Sequence, residues 1–519
     1  MTLRQLLENI PDIEIHGDTS VSIGTLTCDS RKAGAGTLFF ALPGTTADGH
    51  HFIAKAVTAG AAAVILENDE FAPAGIPWIK VTDGRAAMGL ISSRFNGDPT
   101  ACRPLIGITG TNGKTTTTYL IEAILAAAGI PAAVLGTISY RFGDRTIAAS
   151  HTTPESTELQ SAFRQLAEAG AKAFVMEVSS HALEQKRVDG CHFDVGVFSN
   201  LTRDHLDYHG TMESYLLAKQ RLFSELLRPS PEKPLRRAAV NMDDQYGSAI
   251  AACCNCPVIT YGIRGECDVR PVDTISSVNG ISGTLVTPKG SFRFSSKLLG
   301  SFNLSNILAA ATAGIGLDLP LGAIKNGIEN HATVPGRMER VENLHGVTCL
   351  VDYAHTGDAL ENVLSTLKEI ATARIITVFG CGGDRDNGKR PIMGRIAAGM
   401  SDLAIVTSDN PRTEQPLKIL EQIRAGILEL PPRPQGEGWG EGGVREYSLA
   451  ELAGGFTEKG FVMQENRREA IRLAVRLAKA GDIILLAGKG HEDYQIIGTV
   501  KQHFDDREEA AKAFAEKTD

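Results

Sequence analysis

Apolar residues along this 519-residue chain recur in two alternating rhythms. Nearly continuous apolar runs at 104–108, 172–178 and 193–199 have the character of parallel strands buried on both faces. After the first of them, Leu120, Ile121, Ile124 and Leu125 recur at the spacing of one helix face. In the first hundred residues, strand-like runs at 37–42, 62–66 and 78–81 alternate with helical stretches, and Asn96-Gly-Asp-Pro99 punctuates their end. Beyond Pro335-Gly336 the rhythm restarts, with apolar runs at 347–351, 374–380, 402–408 and 482–487, each but the last followed by a helical segment. The pattern predicts an α/β protein divided at 1–102, 103–336 and 337–519, with parallel sheets in the second and third parts. One segment breaks it. Residues 430–443, rich in proline and glycine, lack the residues to bury a core and read as an inserted, functionally idle surface loop.

Composition adds exclusions rather than chemistry. With 43% hydrophobic and 22% charged residues, the chain has the make-up of a globular protein able to bury several cores. Its net charge of −9 argues against nucleic acid or an anionic membrane as the main partner. No apolar span reaches 18 residues and no charged leader precedes an apolar stretch, so a cytoplasmic protein without membrane insertion is expected. Nine scattered cysteines suit reduced thiols. Cys253, Cys254 and Cys256 cluster, but no second ligand pair follows at zinc spacing.

The strongest chemical motif lies between the first central strand and its helix: Gly107-Ile-Thr-Gly110-Thr111-Asn112-Gly113-Lys114-Thr115-Thr116. A glycine-rich turn there bares backbone N–H groups at the positive end of a helix dipole, where a polyphosphate binds. Lys114 offers a cation to the outer phosphates and the Thr115 hydroxyl an oxygen to magnesium. The strict phosphate-loop spacing wants glycine at 108, where this chain has isoleucine. Strand, loop and helix still fall where ATP binding needs them, and the part they open reads as a phosphate-loop ATPase-like domain.

Other polar residues stand at places that packing alone leaves open. Glu177 ends a buried strand, a costly position for a carboxylate unless a cation balances it or it faces water. With Thr115 it makes a sufficient protein share of a magnesium site. His205, in Asn200-Leu-Thr-Arg-Asp-His205, falls in a loop expected to share the rim with Glu177, as a metal ligand or a structural residue. Lys219 shares a predicted helix face with Met212, Leu216, Phe223 and Leu226. It either snorkels its ammonium outward or is held inside, where a neutral amine can react with CO₂ to give a carbamate ligand. Arg337, after Pro335-Gly336, either clamps phosphate at a domain junction or forms an inter-domain salt bridge. Asn303 is most simply a helix N-cap, with a place beside a nucleotide base as a second job. In open α/β sheets, ligands bind beyond the carboxyl ends of strands. There stand Asp352-Tyr-Ala-His355, Gly382-Gly-Asp-Arg385-Asp386, Asp409-Asn-Pro-Arg412 and Gly488-Lys-Gly-His-Glu492.

Together with Thr27-Cys-Asp-Ser-Arg31, His151-Thr-Thr-Pro154, Met176-Glu-Val-Ser-Ser-His181, Ala218-Lys219 and Pro335-Gly-Arg337, this ordered set resembles the Mur ligases. These are the ATP-dependent amide ligases that build the peptidoglycan stem peptide. The resemblance spans almost the whole chain and implies three domains, the last of them Rossmann-like. The first would bind the UDP-sugar peptide, the central one ATP, and the last the incoming amino acid. Asp409-Asn-Pro-Arg412 is similar to the signature of the members that add meso-2,6-diaminopimelate to UDP-N-acetylmuramoyl-L-alanyl-D-glutamate, whereas lysine-adding members differ at the arginine.

By the same resemblance, Gly110 to Thr116, Asn303, Arg337 and Asp352 would bind ATP. Thr115, Glu177, His205 and carbamylated Lys219 would hold Mg²⁺, with Lys114, Lys219 and Arg337 as the catalytic groups. The UDP-sugar peptide would lie near Cys28, Ser30, Thr45, Thr46, Ala47, His151, Thr152, Thr153, Ser179, Gln185 and Arg187. Arg385, Asp409, Asn410, Pro411, Arg412, Gly488 and Glu492 would receive diaminopimelate, and a monomer is expected. Three features depart from the family pattern: His151 where many relatives have asparagine, Cys28 where an apolar residue is common, and the inserted 430–443 segment. A ligase of this kind must activate a carboxylate by phosphorylation and then admit the amine before water. Three rival readings stay open: the same ligase with L-lysine, a folylpolyglutamate synthetase, and an ATP-switched binding protein without ligation chemistry.

Overall fold

A computed structural model describes residues 1–44, 47–147, 151–230, 233–331, 333–430 and 444–517. Thr45, Thr46 and residues 431–443, all singled out from sequence, lie outside the described residues. The chain divides into two compact units: residues 1–272, 284–293 and 305–330 form one, and 273–283, 294–304 and 331–519 the other.

The first unit carries two sheets. The N-terminal one orders its strands Ile13–His16, Trp78–Val81, Ala61–Leu66, Thr37–Phe40 and Thr25–Thr27. All pairs are parallel except the first. Thr37–Phe40 is buried along its whole length, with Leu38 and Phe40 in one core and Phe39 in another, as expected of a strand covered on both faces. The second sheet runs Val258–Tyr261, Arg237–Asn241, Val195–Phe198, Leu105–Thr109, Ala173–Glu177, Ala132–Leu135, Tyr140–Phe142 and Arg145–Ile147. Its first six strands are parallel, and an antiparallel hairpin closes the edge. The strand before the phosphate loop lies inside this sheet. In register, Glu177 pairs with Ile108, which brings its carboxylate beside the loop that follows Thr109.

The second unit is built on a seven-stranded sheet: Glu339–Val341, Thr348–Asp352, Ile483–Ala487, Ile375–Phe379, Leu403–Val406, Gly460–Met463 and Arg445–Glu446. Only Glu339–Val341 pairs antiparallel. Helices Gly357–Ile370, Lys389–Met400, Pro416–Leu428, Arg467–Leu477 and Asp506–Glu516 accompany it. Two buried clusters, one around Leu350, Phe379 and Leu485 and another around Val351, Val378 and Leu486, lie on its two faces. The parallel strands end at Asp352, Phe379, Val406 and Ala487, so the four polar sequences noted above emerge from one edge.

Candidate active site

The phosphate loop is shaped by what its glycines exclude. Gly110 adopts φ 152°, and a Cβ there would stand 1.9 Å from the Ser199 hydroxyl. Gly113, left-handed at φ 86°, caps the helix Lys114–Ala127, and a Cβ there would meet Asn306 Oδ1 at 2.3 Å. The loop is pinned from the neighbouring strand: Asn112 N donates to Asn200 Oδ1 (2.8 Å), and the Ser199 hydroxyl donates to Asn112 O (2.7 Å). Lys114 Nζ is folded onto its own loop, donating to Gly110 O at 2.9 Å and Thr111 O at 2.8 Å. Thr116, next in the helix, is buried.

Glu177 is buried and fully engaged. The Thr115 hydroxyl donates to its Oε1 at 2.9 Å, Thr137 N to the same atom at 3.1 Å, and the Thr137 hydroxyl to Oε2 at 3.0 Å. Gly136 makes room for it, since a Cβ there would stand 2.4 Å from Oε1. The option of a strand-end glutamate facing water is thereby removed. A hydroxyl and a carboxylate joined at the first turn of a phosphate-loop helix are hard oxygens in a number that suits Mg²⁺, which takes few protein ligands beside phosphate and water. This donor set fits the ion.

Several residues expected around the UDP-sugar peptide converge on the same strand end. Thr152 Oγ1 lies 3.0 Å from Thr137 Oγ1, and the Thr153 hydroxyl donates to Glu177 O (2.8 Å) while accepting from Ser179 N (3.1 Å). Arg187 donates to Thr153 O (2.9 Å) and Gln185 Oε1 (2.7 Å), and pairs with Glu155 at 3.0 Å. Gln185 donates onward to the Tyr208 hydroxyl (3.0 Å). Glu155 also faces Arg85 of the N-terminal sheet's helix Gly84–Phe95, at 3.5 Å. Burial, then the Glu155 charge, pushes the Cys28 thiol up. His151 is exposed, and its carbonyl accepts from the Tyr140 hydroxyl at 2.6 Å. Beside Cys28 and the half-buried Ser30, hydrogen bonds from Arg31 hold the Asp29 carboxyl at about 2. Ala47 is exposed. Sequence reasoning missed Thr137 and Glu155, and named Asn200 only as the start of the run to His205, without a role of its own. Glu155 had a visible cue in directly following His151-Thr-Thr-Pro154, whereas Thr137 had none.

Lys219 is 1% exposed, which removes the snorkelling alternative. The predicted face is also corrected. The buried stripe is Tyr215, Ala218, Lys219, Leu222 and Phe223, while Met212, Leu216 and Leu226 are only partly covered. That stripe keeps ordinary i, i+3, i+4, i+7, i+8 helical spacing through Met212–Arg221, so the helix turns a neighbouring face inward from the one expected, and a π-helical turn at Leu222–Leu226 follows. Lys219 Nζ sits 4.5 Å from the Tyr215 ring centre. Burial, reinforced by the Lys114 charge, drives its amine well below the ordinary lysine range.

A histidine cluster stands next to it. His205 has a left-handed backbone (φ 53°), its ring 4.9 Å from His181 and 6.2 Å from Tyr215, with Nε2 3.5 Å from Asp204. The Tyr215 hydroxyl in turn meets Thr111 Oγ1 at 3.2 Å, so the cluster reaches the phosphate loop. His209 is pushed down to about 4 by burial, His181 and Lys219. Among the described residues no group of three or more His, Cys, Asp or Glu side chains forms a metal cage, and the three clustered cysteines are free thiols.

In the second unit, Asp352 is buried and accepts from Met338 N and Ala354 N, both at 2.8 Å. Burial raises its carboxyl and the Arg337 charge opposes that rise. The Arg337 guanidinium lies over the Tyr353 ring at 5.1 Å, and its buried Nε finds no acceptor among the described residues, a donor available to an anion. Asn303 is buried inside the helix Ser301–Gly316, where its amide donates to Leu299 O (2.8 Å), so its expected place as N-cap is corrected to the helix interior.

The remaining expected residues lie at neighbouring strand ends. Asn410 donates to Glu492 Oε2 (3.0 Å), and Arg412, left-handed at φ 50°, donates to Gly383 O (2.8 Å). A Cβ on Gly383 would stand 1.9 Å from Pro411 O, so this glycine admits the turn. Arg385 is exposed on the adjoining loop, and Gly488 takes φ 114°. Asp409 pairs with Lys489 at 3.2 Å. Lys489, fully buried, was missed from sequence, although its place between two glycines marked it.

Comparison with known proteins gives a consistent outcome. The sequence matches the domain descriptions "Mur ligase family, catalytic domain" at 22–96, "Mur ligase middle domain" at 108–314 and "Mur ligase, glutamate ligase domain" at 336–490. It is 59% identical over 514 residues to the UDP-N-acetylmuramoyl-L-alanyl-D-glutamate--2,6-diaminopimelate ligase of Geobacter sulfurreducens, and 59% identical over 516 residues to that of Geobacter metallireducens. Each pairing covers 99% of both chains. A solved structure of a UDP-N-acetylmuramoyl-L-alanyl-D-glutamate--2,6-diaminopimelate ligase superposes with a TM-score of 0.71 at 34% identity, covering 99% of both chains.

Proposed function

The chain belongs to the Mur ligase family, and we propose that it joins meso-2,6-diaminopimelate to the D-glutamate carboxyl of UDP-N-acetylmuramoyl-L-alanyl-D-glutamate, with ATP going to ADP and phosphate. The observation that carries the amino-acid assignment is the turn Asp409-Asn-Pro-Arg412. It sets a guanidinium and, through Asn410, the Glu492 carboxylate at one sheet edge, opposite charges for a zwitterion's two ends. L-Lysine lacks the second carboxylate that an arginine there would meet.

We assign 1–102 to the UDP-sugar peptide, 103–336 to ATP and 337–519 to the amino acid. Gly110 to Thr116 cradle the nucleotide phosphates, with Lys114 leaving its loop carbonyls for them. Arg337, with its free Nε, supplies a second cation, and Asp352 holds the Met338 backbone next to it. Asn303 is assigned to the adenine. Thr115 and Glu177 hold Mg²⁺, and His205 and the carbamate of Lys219 complete the metal-binding groups. Bound there, Mg²⁺ neutralises charge on the transferred phosphoryl group. The UDP-sugar peptide is assigned to Cys28, Ser30, Thr45, Thr46, Ala47, His151, Thr152, Thr153, Ser179, Gln185 and Arg187. Three of these, Thr153, Ser179 and Arg187, are tied by hydrogen bonds to the strand end that carries Glu177, a linkage that supports one reaction locus for acceptor and phosphate.

Chemistry follows from positioning and charge. The acceptor carboxylate attacks the γ-phosphorus, ADP leaves, and the amine then displaces phosphate from the acyl phosphate. The enzyme is assigned to the cytoplasm as a monomer; among the described residues no helix is long and apolar enough to cross a membrane. The test is ADP release with the UDP-dipeptide and either meso-diaminopimelate or L-lysine. Release is expected only with both the UDP-dipeptide and meso-diaminopimelate. Turnover with L-lysine would transfer the assignment to that amino acid, turnover on a folate to folylpolyglutamate synthesis, and ADP release without either co-substrate would mark an ATP-switched protein.

A further inference from the structure

Lys489 is a fully enclosed cation at the proposed amino-acid site. It stands between Gly488 (φ 114°) and Gly490 (φ 52°), backbone states that glycine adopts freely and that turn the lysine side chain inward. Its relative exposure is 0%. The ammonium donates to Tyr494 O at 2.7 Å and Asn410 Oδ1 at 3.2 Å, and lies 3.2 Å from Asp409 Oδ1. Two of its N–H groups are thus donated to oxygens, and its charge faces the Asp409 carboxylate as an ion pair.

The consequence falls on Asn410. Its Oδ1 receives Lys489 Nζ and, at 3.0 Å, the Ile496 N–H. Both are donors only, so the amide cannot turn over without facing its NH₂ against two donors. Nδ2 must then point at Glu492, where it donates to Oε2 at 3.0 Å. That fixes one oxygen on Asn410, and the Tyr494 hydroxyl also hydrogen-bonds the carboxylate.

Resting on the function proposed above, we propose that Lys489 is a positioning residue that fixes the Asn410 amide, and through it the carboxylate oxygen that Glu492 offers to an ammonium group of the incoming diamino acid.

The electrostatics agree. Burial raises the Glu492 carboxyl and Asp409 raises it further, while Lys489, the Asn410 hydrogen bond and Arg412 draw it down. Tyr353, Tyr494 and Arg467 also face it. Removing the lysine takes away the stronger of the two opposing cations and leaves Asp409 without its nearest partner.

The test is steady-state kinetics of Lys489→Met with all three substrates, across pH. The KM for meso-diaminopimelate should rise at least about tenfold, with the KM values for ATP and the UDP-dipeptide unchanged. The acid limb of kcat/KM for meso-diaminopimelate should move to higher pH, because Glu492 then protonates sooner. Charge balance alone is separated by a second comparison, Asp409→Asn/Lys489→Met against Asp409→Asn. If Lys489 merely neutralises Asp409, the two match; orientation of Asn410 requires the double variant to be at least about tenfold worse in that same KM. An unaltered KM, a match between the two Asp409 variants, or failure of both Lys489 variants to fold overturns the proposal. A wild type that refuses meso-diaminopimelate overturns the functional assignment instead.

Discussion

Replacing Arg412 by alanine isolates what this chain recognises at the far end of the incoming amino acid. Its backbone is held from both sides: the N–H donates to Ile496 O at 3.1 Å and the carbonyl accepts from Gly498 N at 2.8 Å. Alanine therefore removes the guanidinium and keeps these tethers. Of the five guanidinium N–H groups, one donates to Gly383 O at 2.8 Å, which orients the plane and leaves the rest for a carboxylate. Each charge-assisted hydrogen bond contributes about 1.5–3 kcal/mol net, so a bidentate pair contributes roughly 3–6 kcal/mol. The arginine is half-buried, and solvent screening reduces this to about 2–4 kcal/mol, or roughly 30- to 1000-fold in binding. Arg412→Ala should raise the KM for meso-diaminopimelate at least about thirtyfold, with ATP and UDP-dipeptide little affected. Arg412→Lys, which keeps the charge and loses the fork, should fall between. Phosphate release at saturating ATP and UDP-dipeptide measures it. An Arg412→Ala enzyme with unaltered KM, or a wild type that uses L-lysine equally well, would refute the reasoning.

Lys219→Met should reduce turnover at least about a hundredfold, as expected for a lost electrostatic contributor to the transition state. Its melting temperature should not fall, because an apolar chain of similar length replaces a buried amine at little or no cost; partial rescue of Lys219→Ala by acetate would mark the carbamate, and near-normal turnover of either variant would exclude it. Deleting residues 431–443, whose composition offers no core, should leave activity and stability nearly unchanged, and a loss above about 1 kcal/mol on denaturant titration would show that the segment packs. Glu414, bound by the fully buried Arg390, is held at about 2. Its folded-state value is depressed, so its contribution to stability is present above the ordinary 4.5 and is lost as pH falls towards about 2. Denaturant titrations of Glu414→Gln against wild type should differ at pH 6 and converge as the pH drops through that window; a constant difference would refute the pairing.

Much of this architecture was legible in sequence because its strands are parallel and covered on both faces. Such strands read as unbroken apolar runs, and the runs at 172–178 and 193–199 mark Ala173–Glu177 and Val195–Phe198 to within a residue or two. The same rule hid others. Arg270–Ser277 is largely exposed and rich in polar residues, so nothing set it apart from a loop. Glu339–Val341 and Arg445–Glu446 are edge strands too short for a period to emerge. In Met212–Arg221, periodicity alone did not fix which of two neighbouring faces turns inward, since Met212 and Leu216 are apolar yet only partly covered.

Site residues divide along a similar line. Those in motifs at strand ends were found because unusual polar sequences there have no packing reason to exist. Those that act across long separations were not, since their partners are set by the fold. Thr137 is an ordinary threonine until the sheet brings it 40 residues across the chain to Glu177. Lys489 is marked in its own segment only by the two flanking glycines, and its partners Asp409 and Asn410 lie some 80 residues earlier. These two buried charges are also balanced by different means. Lys489 faces a carboxylate directly, an arrangement that fixes geometry whether or not a ligand is present. Glu177 accepts hydrogen bonds from neutral donors, the Thr115 and Thr137 hydroxyls and one backbone N–H. The nearby ammonium of Lys114 is turned onto its own loop's carbonyls. A buried carboxylate is costly unless a cation joins it, and its place at the first turn of the phosphate-loop helix supports the Mg²⁺ proposed there. The positioning groups of the second unit need no such ion, so changes at Lys489 should alter amino-acid recognition without altering ATP binding, and changes at Glu177 the reverse.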